Sequence, residues 1–128
     1  MAEFSQEEKD NIQKQFDELL RLSPKCHKNE ETLALVKKAF SVANEAHYGT
    51  RRRSGEPYIL HPIAVARIVS DEIGLGSKSV ISALLHDVVE DTDITLEDIN
   101  NMFGPKIAQI VDGLTKIRGV LKNKEGQA

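Results

Sequence analysis

The chain is predicted to be all-α, a bundle of five or six helices. Apolar residues recur at helical spacing in every long segment, the breaks fall at Gly and Pro, and no stretch reads convincingly as a strand. Its 128 residues are the usual size of one domain, long enough to bury roughly two-thirds of the unfolded surface. Forty per cent of residues are hydrophobic and 29% charged, which is apolar enough to fold around a core rather than stay disordered.

The first helix is expected from Gln6 to about Leu22, where Ile12, Phe16, Leu19 and Leu20 repeat among charged neighbours and Ser23-Pro24 ends the run. A second starts near Asn29, with Glu30 and Glu31 favourable in its first turn, and runs through Val36, Ala39, Phe40 and Ala43 to about Tyr48, where Gly49 stops it. The stretch from Gly49 to Leu60 has glycines, a proline and three arginines without a period, and reads as an ordered loop. His61-Pro62 opens the next helix, because proline suits a first helical position, and Gly74 and Gly76 break it. Ser77 is the expected N-cap of a helix to about Val89, and Thr95 with Asp98 marks the start of a short one. Gly104-Pro105 restarts the chain into Ile107, Ile110, Val111, Leu114 and Ile117, and the polar tail from Leu121 to Ala128 frays.

A net charge of −3 gives no global reason to expect nucleic acid or an anionic membrane, so no DNA binding is predicted. One cysteine, Cys26, excludes an internal disulfide and a cysteine-rich zinc site, and it reads as a structural or surface thiol without a reactive role. The N-terminus lacks the pattern of a signal peptide, and no stretch approaches the ~20 apolar residues that span a bilayer. A cytoplasmic protein without membrane insertion is the expectation.

The segment most able to carry chemistry is the helix around Ser79–Asp91. Val80, Ile81, Leu84, Leu85 and Val88 gather on one side of a helical wheel, with His86, Asp87, Glu90 and Asp91 opposite. His86 and Glu90 are four apart, as are Asp87 and Asp91, so the four can converge. A solvated acidic face is the competing reading. Against it, the six acids Asp87, Glu90, Asp91, Asp93, Glu97 and Asp98 lie between Ser79 and Pro105 with no Lys or Arg, a concentration that repels itself without a cation. His61, at the mouth of an adjacent helix, would add an imidazole to the His86-Asp87 pair and make a mixed nitrogen and oxygen site suited to Mn²⁺, Fe²⁺ or Zn²⁺.

Arg51, Arg52 and Arg53 with Ser54 form a basic cluster in an otherwise acidic chain, eight to ten residues before His61 in the case of the arginines. Guanidinium groups bind phosphate through paired charge-assisted hydrogen bonds, so a phosphate ester held beside a metal is the natural substrate class.

Three stretches, AHYGTRRRSGEPYILHPIAVARIV, ALLHDVVEDT and FGPKIAQIVDGLTKI, together resemble the N-terminal hydrolase domain of RelA/SpoT-type (p)ppGpp synthetase/hydrolases, within the HD superfamily of metal-dependent phosphohydrolases. The resemblance runs from about Leu33 to Ile117. It implies an HD-like helical bundle that hydrolyses the 3′-pyrophosphate of (p)ppGpp to GDP or GTP and pyrophosphate, with Mn²⁺ as metal. Carried over by position, His61, His86 and Asp87 would be metal ligands, Glu90 and Asp91 would orient or deprotonate the attacking water, and Arg52, Arg53 and Ser54 would grip the nucleotide. Thr50 stands where the family usually has Gln, and Arg53 where Lys is common.

The family also draws a fourth metal ligand, an Asp, from a later Ala-Asp-Arg-x-x-Asn-type segment that does not occur before Ala128. The expectation is therefore an incomplete bundle. Residues 1–28 would form an N-terminal helix and connector, and 29–128 the N-terminal part of a hydrolase domain from a longer, bifunctional enzyme. Such a piece would be weakly active or inactive, and its exposed apolar surface could drive self-association. An HD-type phosphohydrolase for another nucleotide and a non-catalytic helical regulatory module are the alternatives.

Overall fold

The computed structural model describes residues 3–70 and 76–114. Helix α1 spans Gln6–Leu22, α2 Glu30–Ala46, α3 Leu60–Ile68, α4 Ser77–Asp91 and α5 Leu96–Phe103, with a turn of 3-10 helix at Pro24–His27 and a further helical segment at 105–114. The all-α expectation holds. Among the described residues the one extended pairing is an isolated bridge between Arg51 and Pro57. Gly74, Ile117 and the tail expected to fray lie outside the described residues. No described helix is long and apolar enough to cross a membrane.

Local sequence sets most of the helix ends. At α1 the Ser5 hydroxyl accepts from the Glu8 N–H (3.1 Å) and the Glu8 carboxylate accepts from the Ser5 N–H (3.0 Å), a reciprocal cap for two otherwise unsatisfied donors. Thr95 and Asp98 do the same for α5. Asn29 Oδ1 accepts from the Thr32 N–H (2.7 Å) to start α2. That helix ends at Ala46, two residues short of expectation, and Gly49 at φ 83° turns the chain where other residues would be strained.

Three other boundaries shift. Helix α3 starts at Leu60 rather than His61, so Pro62 is its third residue, and its missing N–H still costs nothing because the first four donors of a helix have no partner within it. Helix α4 takes Gly76, not Ser77, as its N-cap, with no side-chain cap, and continues past Val89 to Asp91, carrying Glu90 and Asp91 on its last turn.

Helix α4 is the centre of the molecule, packed against α2 and α3. Val80, Ile81, Leu84, Leu85 and Val88 are buried as expected, but so are Ser82, Ala83 and Asp87, which overturns the picture of one apolar face opposite one wet face. Ser82 meets the cost of burial by donating to Lys78 O (2.7 Å). Helix α1 shares this core through Ile12, Phe16 and Leu19, with Phe16 stacked on Phe40 of α2 at a centroid separation of 4.0 Å. Cys26 is fully buried in the same core, and burial raises its thiol pKa, as suits a structural rather than reactive role.

Candidate functional site

The site grows from the C-terminal half of α4. Asp87 is 0% exposed and the His86 side chain 16% exposed. The His86 ring places Nδ1 2.6 Å from Ala83 O; a carbonyl only accepts, so Nδ1 carries the proton and Nε2 keeps its lone pair. That Nε2 lies 3.2 Å from Asp87 Oδ1, and the Tyr58 hydroxyl donates to the other carboxylate oxygen, Oδ2. Two ligand atoms bound to one first-row divalent ion at about 2.0–2.2 Å sit about 3.0–3.4 Å apart. The His86-Asp87 pair therefore fits such an ion.

The loop between α2 and α3 lies over this pair as a short hairpin. Tyr58 N donates to Thr50 O (2.8 Å), Arg52 N to Glu56 O (2.9 Å) and Gly55 N to Arg52 O (2.8 Å), with Gly55 at φ 101° making the tight turn. Arg52, Arg53 and Ser54 are exposed at its tip. Glu56 titrates below the usual carboxylate range, chiefly through a hydrogen bond from Ser54, then its own backbone, with the Arg52 charge adding to the effect. Arg52 Nη1 comes within 3.4 Å of His61 Nδ1, so the loop and the mouth of α3 meet.

Arg51, grouped with its neighbours by sequence, is used differently. Its guanidinium forks onto Glu8 (2.6 and 2.9 Å), donates to Gly55 O (2.8 Å) and Glu3 O (3.1 Å), and lies over the Phe4 ring. It fastens the base of the loop to the start of α1, leaving two arginines at the tip.

His61 does not close a three-ligand cluster: among the described residues no three His, Cys, Asp or Glu side chains stand close enough to hold one metal together. It stands beside the pair through Tyr58, whose ring centroid is 5.8 Å from that of His61. Glu90 and Asp91 are exposed at the end of α4. Asp91 lines a polar cavity of about 350 Å³ with His47, Thr50, Tyr58, Thr92 and Asp93.

Two residues at this site escape sequence reasoning. His47 is 1% exposed, and its Nε2 makes no hydrogen bond among the described residues. Burial lowers its pKa below the usual histidine range, against a raising effect from Asp91 and with a further lowering from His86. At the end of α2 it looked like one more polar residue before a glycine. Tyr58 reads as a loop aromatic; the one signal was its place in a rigid Gly-Glu-Pro turn three residues before His61.

A His-Asp pair with a buried carboxylate beside a basic loop has the chemistry to hold a divalent cation next to a phosphate. The HD domain family matches residues 39–128. The chain is 47% identical over 89 residues to a probable GTP pyrophosphokinase of Mycobacterium leprae, covering 70% of this chain and 11% of that protein. It is 47% identical over 88 residues to a guanosine-3′,5′-bis(diphosphate) 3′-pyrophosphohydrolase of Vibrio cholerae, covering 69% and 12%. Against the bifunctional (p)ppGpp synthase/hydrolase SpoT of Escherichia coli it is 44% identical over 88 residues, covering 69% and 12%. The matched stretch is thus about a tenth of the length of these relatives. By the extent of the match and the His86-Asp87 pair at its centre, the chain belongs to the HD domain family, and its curated relatives are RelA/SpoT-type (p)ppGpp hydrolases and synthetases.

Proposed function

We propose that this chain contributes the metal and phosphate site of a cytoplasmic (p)ppGpp 3′-pyrophosphohydrolase. The observation that carries the reading is the His86 Nε2 to Asp87 Oδ1 separation of 3.2 Å, with Arg52 of the basic loop reaching His61 at 3.4 Å on the adjacent helix. The names of the relatives supply the substrate.

In this reading His86 and Asp87 would hold Mn²⁺, with His61, which stands apart from the pair in this structure, drawn in as the third ligand; when bound, the ion neutralises phosphate charge and makes water more acidic. Arg52 and Arg53 bind the phosphates through charge-assisted hydrogen bonds, with Ser54 as a further donor once turned from Glu56. Glu90 and Asp91, exposed at the end of α4, orient a water toward the phosphorus on the 3′-oxygen and accept its proton. The water oxygen forms a bond to phosphorus as the bond to the 3′-oxygen breaks, releasing pyrophosphate and leaving a 3′-hydroxyl. The exposure of the loop tip supports this assignment, because a polyanion in solution can reach donors that stand at the surface.

The test is a thermal melt with and without Mn²⁺ on this protein and on His86→Ala, followed by (p)ppGpp hydrolysis. A rise in Tm with Mn²⁺ that the substitution abolishes is expected, since a ligand binding only the folded state stabilises it in proportion to occupancy. Equal Mn²⁺ responses in both proteins would overturn the metal assignment.

A further inference from the structure

Tyr58 joins three parts of the site. Its backbone N–H closes the loop hairpin on Thr50 O (2.8 Å), its carbonyl accepts from His61 N (2.9 Å) at the start of α3, and its hydroxyl donates to Asp87 Oδ2 on α4. The ring packs near those of His47, 4.9 Å away, and His61, 5.8 Å away, and the Asp87 hydrogen bond holds its hydroxyl end.

A carboxylate can coordinate a cation through one oxygen or both, and which it does depends on what engages the second oxygen. Here Oδ2 accepts the Tyr58 hydroxyl, while Oδ1 lies 3.2 Å from His86 Nε2. We propose that Tyr58 is a positioning residue, which ties up Asp87 Oδ2 so that the carboxylate presents Oδ1 alone, beside His86 Nε2, to a divalent cation. The inference rests on the metal reading above and extends it to a residue outside the expected ligand set. Because the same residue closes the hairpin that carries Arg52, it also ties the phosphate-gripping loop to the metal ligand.

The experiment is a titration of Mn²⁺, followed by the loss of the free-ion electron paramagnetic resonance signal, on the wild-type protein, Tyr58→Phe and Tyr48→Phe. Each is also loaded with Co²⁺ for its visible spectrum. Removing a group that orients a ligand typically weakens metal affinity by about 10–100-fold, and that loss is expected for Tyr58→Phe. Its Co²⁺ bands should change as Asp87 becomes free to bind through both oxygens. Tyr48→Phe, which alters an exposed ring packed on Phe4, should match the wild type.

Wild-type affinity and an unchanged Co²⁺ spectrum in Tyr58→Phe would overturn the role of Tyr58 while leaving the metal reading intact. A wild-type protein with no saturable Mn²⁺ binding would overturn both. Should Tyr58→Phe lose its helical circular dichroism, 4-aminophenylalanine at position 58 decides the matter, because it keeps the shape and the donor. Wild-type affinity there supports the proposal, and an affinity ten-fold lower with the fold retained overturns it.

Discussion

Arg51 and Glu8, 43 positions apart in sequence, meet in a forked ion pair with Nη1 to Oε2 at 2.6 Å and Nη2 to Oε1 at 2.9 Å. The Glu8 carboxylate also caps α1 by accepting from the Ser5 N–H, so a single side chain starts the first helix and anchors the loop. These contacts, the Arg51 hydrogen bond foremost and the Ser5 N–H next, lower the Glu8 pKa to about 2. An acid with a depressed folded pKa adds stability that is full above its ordinary pKa and lost as pH falls through the folded value. The Glu8→Gln protein should therefore melt lower than the wild type at pH 7, with the gap closing as pH falls from about 4.5 toward 2. Melting curves across that range check this; a gap that is constant with pH would remove the ion pair from the account.

Arg52 and Arg53 should separate binding from folding. Both are exposed, so Arg52→Ala and Arg53→Ala should leave Tm almost unchanged. A hydrogen bond to a charged group contributes about 1.5–3 kcal/mol, so each substitution should weaken (p)ppGpp binding by about 10–100-fold. Calorimetric titration of the nucleotide measures it. Undiminished affinity in both variants would show that the loop tip does not grip phosphate.

His47 predicts a second pH dependence in a different window. Its folded pKa lies below the ordinary value because burial disfavours the charged ring, outweighing Asp91, which raises it; His86 lowers it further. The unfolded chain then takes up a proton near pH 6.5 that the folded one resists, so this contribution is full above about pH 6.5 and declines below it. One proton limits the slope to about 1.4 kcal/mol per pH unit. Stability measured by urea unfolding from pH 7 to 5.5 should fall less steeply in His47→Asn than in the wild type, and equal slopes would mean that the ring titrates as it does in water.

Leu84, 0% exposed at the centre of α4, should be costly to shorten. Leu84→Ala is expected to lose about 2–5 kcal/mol, the range for a buried leucine that leaves a cavity. Urea unfolding decides it, and a loss under about 1 kcal/mol would mean that α2 and α3 can close on the space.

The helices were legible because their signals are local. The Thr95-Asp98 cap needs only four consecutive residues, and the stripe Ile12, Phe16, Leu19 repeats within one helix, so each element could be placed before any neighbour was known. The helix starts that moved, at Leu60 and Gly76, are those without a side-chain cap, where packing rather than local chemistry chooses the first turn.

Of the candidate site, the sequence alone determined the residue types and their order: a His-Asp pair on a helix, a histidine at a helix mouth and a basic loop just before it. The resemblance left Arg51 out of the nucleotide grip, but composition and spacing gave it no role of its own, because its partner Glu8 lies 43 positions away, nor could they tell that Asp87 is buried. A helical wheel assumes one neighbour and one wet side, whereas α4 is enclosed by α2, α3 and the loop that brings Tyr58 onto its carboxylate. Partners joined by chain folding rather than by helical spacing were decided by tertiary structure alone, since burial and hydrogen bonding between distant residues have no period along the chain.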